Sequence, residues 1–218
     1  MPTAPSPSAL LPTIDEQVDQ LVRLGVASLA GLSDADFRSL LPRDAAGESA
    51  LLVVHPSLVP PSRLITALRV GDRQGFVVVD MDDVDDFRPV PGVDVPDAPL
   101  YTVTGLDRGD DMANWSPEEA AAELTSRGRS PLTITEGLSW LLQAPDVLER
   151  SRCFMTIACR RPRPGGGWDS RVPALWFSNG TGRDGRDKKD SPKLGWCWWR
   201  NRHTWLGFAS CAGRDLPR

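Results

Sequence analysis

Residues 192–211 hold four of the chain's eight tryptophans, one of its two histidines and two of its four cysteines. No other stretch limits the fold as much. In an extended run successive side chains point to opposite faces, so Trp196 and Trp198 share one face and Trp199 takes the other. A sheet with indoles on both faces is covered on both sides, or it uses one face to line a cleft. The C-terminal strands therefore need a layer of helices packed on a face, and 40% hydrophobic residues in 218 are enough to build such a core.

The layers can be placed along the chain. Ile14, Val18, Leu21, Val22 and Leu24 have helical spacing, and the pattern stops at Gly25. Ser33 can cap a second helix over residues 34–41, ahead of Pro42. Residues 50–54 are a short apolar run ending at His55-Pro56, which reads as a buried strand with His55 as a strand-end histidine. Residues 61–68 suggest a short helix, and 75–80 and 100–105 suggest strands. Ser116-Pro-Glu-Glu119 combines an N-cap serine, a proline in the first turn and a glutamate three residues on; Thr133-Ile-Thr-Glu136 repeats the box. From residue 152 the pattern changes to strands over 153–160, 172–178, 194–199 and 204–211, separated by glycines, prolines and a tight turn, as in an antiparallel meander. The expected architecture is a single α+β domain over residues 13–218, with a helical element over 13–45, antiparallel strands over 152–211 and a disordered leader over 1–12.

Several classes are excluded at this level. The first residues lack a basic segment followed by an apolar one, and no window approaches the roughly 20 apolar residues that span a bilayer. Four cysteines without a signal peptide point to reduced thiols in a cytoplasmic protein with no membrane partner. Net charge is −4, but residues 1–149 carry ten basic and 24 acidic side chains, and residues 150–218 carry 15 basic and five acidic. Either the two halves neutralise each other across the fold or the C-terminal third presents an anion-binding face.

Five segments, Ser130-Pro-Leu-Thr-Ile-Thr-Glu-Gly137, Cys153-Phe154, Arg171-Val-Pro-Ala-Leu-Trp176, Pro192-Lys-Leu-Gly-Trp-Cys-Trp198 and His203-Thr-Trp-Leu-Gly207, carry a resemblance. Across about residues 14–214 the chain resembles a family of uncharacterised actinobacterial proteins, a domain of unknown function. The resemblance implies a small cytoplasmic single-domain protein and no activity, cofactor or site residue.

Motifs that would carry chemistry are scarce. Gly180-Thr-Gly-Arg-Asp-Gly185 matches a dinucleotide fingerprint by letter, but the polar, proline-stopped segment after it cannot form the helix that holds a pyrophosphate. The aspartates at 80, 82, 83, 85 and 86 lack the central glycine and final glutamate of a calcium loop. No cysteine pair has zinc-knuckle spacing, and Cys153 and Cys159, six apart on one expected strand, sit about 20 Å apart. Neither a metal nor a cofactor is expected. Cys197 and His203 form a candidate nucleophile and base. In a hairpin over 194–211 a two-residue turn puts them on opposite faces, and a three-residue turn puts them on one face. Trp199, Arg200 and His203, with Arg171 beside them, are the candidate ligand-binding set, because an indole flanked by guanidiniums stacks on planar anions. The expected partner is a small anionic or aromatic molecule near this hairpin, bound by a binding protein or an enzyme. The alternatives are nucleic acid on the basic C-terminal third, through Arg160, Arg161, Arg163, Arg183, Arg186, Lys188, Lys189, Arg200 and Arg202, and a non-catalytic interaction module.

Overall fold

The computed structural model describes residues 11–41 and 50–216. Apart from Leu11 and Pro12 the expected leader lies outside the described residues, and so does the end of the helical element, residues 42–45. The helices are α1 (Ile14–Arg23), α2 (Val26–Leu29), α3 (Asp34–Ser39), α4 (Pro61–Leu64), α5 (Pro117–Ser126) and α6 (Ile134–Gln143). The strands of the two main sheets are β1 (Leu51–Val54), β2 (Phe76–Val77), β3 (Leu100–Thr104), β4 (Cys153–Met155), β5 (Arg171–Phe177), β6 (Pro192–Trp198), β7 (Leu206–Phe208) and β8 (Gly213–Asp215). The fold is α+β, as the pattern of capped helices followed by apolar strands predicts. Among the described residues no helix is long and apolar enough to cross a membrane.

The smaller sheet is antiparallel, in the order β1-β3-β8, with Val53 opposite Tyr101 and Val103 opposite Arg214. The larger sheet has the order β7-β4-β5-β6-β2 and is mixed. Its middle is the expected meander, since β4, β5 and β6 are antiparallel neighbours, but β7 runs parallel to β4 and β2 parallel to β6. The hairpin expected over residues 194–211 is therefore absent, and neither of its two registers applies. One contribution is edge occupancy: β5 fills one side of β6 and β2 takes Lys193 and Leu194 on the other, so the chain cannot return along the whole of β6. It crosses the end of the sheet and adds β7 to the open edge of β4. Cys153 and Cys159 are likewise not on one strand, because β4 ends at Met155 and Cys159 pairs with Pro89 in a separate two-residue ladder.

Helix α6 organises the interior. Residues 134–142 are all buried, as in a helix enclosed on every side. Gly137 permits the close fit to the larger sheet, because a Cβ there would lie 2.7 Å from Thr156 Cγ2 and 3.0 Å from Leu175 Cδ1. On the other side the Val54 amide of β1 donates to Ser139 Oγ at 3.1 Å. Buried Gln17 of α1 continues the same protection, accepting from the Leu52 amide at 2.8 Å and donating to the Ala50 carbonyl at 2.7 Å. Side chains thus stand in for a missing neighbour strand along the exposed edge of β1. Helix α5 covers the opposite face of the larger sheet, where Ala120 and Leu124 join Met155, Val172, Ala174 and Phe208 in a second apolar core. Both faces of β6 are covered in consequence, Trp196 packing on the α6 side and Cys197 and Trp199 on the α5 side.

Candidate functional site

The C-terminal residues singled out by the sequence are held at the entry to α5. The Trp199 carbonyl accepts from the Glu118 amide at 3.2 Å, and the His203 carbonyl accepts from the Asn114 amide at 3.0 Å. The Trp199 ring stacks on the Arg160 guanidinium, 4.1 Å from its centroid, and the His203 ring stacks on Trp205 at 4.7 Å. Arg200 pairs with Glu118 at 3.1 Å, and Arg202 pairs with Glu119, the carboxylate that also closes the Ser116 capping box. Cys197 and His203 are not joined by a hydrogen bond among the described residues. Burial pushes the Cys197 thiol up to about 11, so it stays protonated at neutral pH and is a poor nucleophile. Arg171 points to the other face of the sheet, where it grips Asp83 with two hydrogen bonds of 3.0 and 2.5 Å and Asp169 with two of 2.9 and 3.3 Å. These contacts raise its pKa further and leave it committed before any ligand arrives.

The same pairing extends across the basic third. Arg161 meets Asp83 and Asp86, Arg183 meets Asp80, and Arg214 meets Glu136, so carboxylates from the acidic first part of the chain neutralise guanidiniums from the last part. Arg160 is buried. Asp80, Asp83 and Asp86 are thereby explained as arginine acceptors, and Asp85 holds the Ser62 amide at 2.9 Å at the start of α4. The loop over residues 179–193 is tied by Lys193 to Asp184 at 2.7 Å and by Arg150 to Asp190.

A cleft of about 400 Å³ lies elsewhere, where β1 ends and α4 and α6 begin. Its walls are Pro56, Pro60, Pro61, Pro89, Phe87, Val95 and Ile134, and its polar groups are His55, Ser57, Asp85, Arg88, Thr133 and Thr135, with Cys159 against them. The proline walls are rigid, since each ring fixes its own φ. Thr133 caps α6 and is bound in return by Glu136, whose Oε2 accepts the Thr133 amide at 2.7 Å. Burial pushes the Cys159 thiol up to about 12. For the amide of Thr135, in the first turn of α6, the described residues supply no acceptor.

His55 and Ser57 form the most reactive arrangement in the cleft. The Ser57 amide donates to His55 Nδ1 at 3.1 Å, and Ser57 Oγ lies 2.6 Å from the same nitrogen. A backbone N–H can only donate, so Nδ1 carries the lone pair and the hydroxyl also donates to it. Burial holds the imidazole below the usual histidine range, against the opposing charge of Asp97. The unfolded chain therefore binds this proton first as pH falls. The stability contribution is complete above about pH 6.5 and is lost as pH drops toward the folded value. In urea melts at a series of pH values, His55→Gln should flatten the slope below about pH 6.5; an unchanged slope assigns that titration to other groups.

The family model described as a family of unknown function, DUF5701, matches residues 20–216. The chain belongs to the DUF5701 family. No curated protein and no solved structure matches it. The DUF5701 description carries no activity, so the site has to be argued from its own residues. Sequence reasoning placed His55 correctly at a strand end and passed over its cleft. The available signal was a His-Pro-Ser turn directly after an apolar strand, since such turns bring positions two apart into contact.

Proposed function

We propose that the chain binds a small organic molecule in the cleft beside His55, one with an aromatic or otherwise apolar body and a single polar end. The cleft's construction carries this reading: stiff apolar walls surround a few convergent polar groups, and its volume falls in the range of small-molecule sites. Phe87 and the prolines offer flat surfaces to a ring. Ser57 and Arg88 are the exposed groups that can meet a polar end, because Asp85 is engaged by Ser62 and Thr133 caps α6. The C-terminal set fits a ligand less well, with Arg171 and Arg200 bound to carboxylates and His203 stacked on Trp205, which is 51% exposed.

The test is titration of ¹⁵N-labelled protein with benzoate and with benzyl alcohol, followed by amide shift mapping. Saturable shifts should gather at residues 55–58, 87–89 and 133–135. Val95→Trp, which fills the cleft from its half-buried wall, should weaken binding by about tenfold or more, a change of about 1.4 kcal/mol. Trp199→Ala should leave binding unchanged. Shifts confined to residues 199–205 would move the site to the entry of α5, and no saturable shift anywhere would leave the interaction module as the better reading.

A further inference from the structure

The cleft contains one pair of side chains that binding alone does not require. Ser57 Oγ and His55 Nδ1, 2.6 Å apart, have the separation of a nucleophile and its base. Both line the same cavity. We infer that the cleft performs acyl transfer, with Ser57 attacking the carbonyl carbon of a small carboxylic ester and His55 taking the hydroxyl proton. The inference rests on the cleft being the binding site.

The local chain holds this pair in register. Pro56 lies between the two residues and fixes its own φ, and the Ser57 amide bond to Nδ1 keeps the imidazole from swinging away from the hydroxyl. The same bond fixes the tautomer, leaving Nδ1 free of hydrogen and able to accept. Asp97 is close enough to favour the imidazolium that forms when the proton moves, and Tyr101 meets the imidazole ring edge-on at 6.2 Å from behind. Thr135 lines the same cleft and its amide has no acceptor among the described residues, which makes that amide the donor this reading gives to the developing oxyanion. Pro60, Pro61, Phe87 and Pro89 suit an apolar acyl or aryl group.

The steps balance with water as the second reactant. Ser57 Oγ bonds to the carbonyl carbon as its proton passes to Nδ1. The bond from that carbon to the alcohol oxygen then breaks, and the alcohol leaves with the proton. Water attacks the acyl-serine, giving its proton to Nδ1, and the acid departs as Oγ is reprotonated. A contact that only closes the turn after β1 would support stability and show none of this chemistry.

The experiment uses the full chain with 4-nitrophenyl butyrate as substrate and an alkyl fluorophosphonate as covalent probe, the modified residue being located by peptide mass spectrometry. The expected result is phosphonylation of Ser57. Ser57→Ala and His55→Gln should each lower kcat/KM for the ester by about 100-fold or more while still melting cooperatively. Hydrolysis that survives Ser57→Ala, or a label found on another residue, overturns the inference. If benzoate shifts the cleft amides and neither label nor hydrolysis appears, acyl transfer fails and the binding site stands. If benzoate shifts nothing as well, both readings fail together.

Discussion

Arg214→Ala should destabilise the fold by about 3–5 kcal/mol, because it leaves a fully buried carboxylate without its counter-charge. Glu136 is 0% exposed, and Arg214 meets it through Nε at 2.6 Å and Nη2 at 2.9 Å. Arg214 also donates to Ser130 Oγ at 2.5 Å and to the Pro131 carbonyl at 2.7 Å, and the Tyr101 hydroxyl donates to Glu136 at 2.9 Å. That hydroxyl is pushed well above its ordinary pKa by burial and by the Glu136 charge, so it remains a donor throughout the accessible pH range. One arginine thus fastens β8, the smaller sheet and the first turn of α6. Urea denaturation of the variant checks the magnitude. The double variant Arg214→Leu with Glu136→Gln should recover only part of the loss, since it removes both charges but leaves one oxygen for the two donors of Tyr101 and Thr133. A single-variant cost below about 1 kcal/mol would mean that the carboxylate is solvated or protonated in the folded chain.

Elements whose stability is local were legible in the sequence. The Ser116 and Thr133 capping boxes predict the starts of α5 and α6, because the bonds that cap a helix lie within four residues. The run at 14–24 predicts α1 for the same reason, and its own box, Thr13 with Glu16, passed unnoticed. Strand order was not legible. A two-residue strand, Phe76–Val77, takes Lys193 and Leu194 at the second edge of β6, and nothing in residues 194–211 reports a partner so far back in the sequence. Without that partner the last two strands read as a hairpin, which is the shortest connection available to them.

The cleft was hidden for a related reason. Its walls come from residues 55–61, 85–89, 95, 133–135 and 159, which share no spacing and no common composition. What the sequence displayed instead was density of aromatic and basic residues at 192–211, and much of that density serves packing and charge neutralisation. Trp196 and Trp198 meet edge to face at 4.5 Å, Trp199 lies on Arg160, and Lys193 lies over the Trp176 ring at 4.7 Å. An arginine-rich segment signals an anion site only when its partners are absent, and here Arg200 and Arg202 find theirs in Glu118 and Glu119 of α5. The charge split between the halves was therefore readable, and its neutralisation by specific pairs required the fold.

Arg171 makes that distinction measurable. If it is a strut, Arg171→Met should cost about 3 kcal/mol, since charge-assisted hydrogen bonds to two largely buried carboxylates are lost together. Asp83 and Asp169 have side-chain exposures of only 16% and 17% in these pairs, so neither regains full hydration when the guanidinium is removed. Arg171 also donates to the Asp80 carbonyl at 3.1 Å and lies 5.7 Å from the Phe87 ring centroid. Phe87 lines the cleft, so the variant should loosen that wall and weaken benzoate binding as a secondary effect. The carboxylates supply an internal control: Asp83→Asn combined with Arg171→Met should cost less than the sum of the two single changes, because the groups act on one another. A ligand-binding arginine would behave in the opposite way. Its replacement would leave Tm and the denaturation midpoint unchanged and abolish only the response to ligand, and that result would return the site to the C-terminal strands.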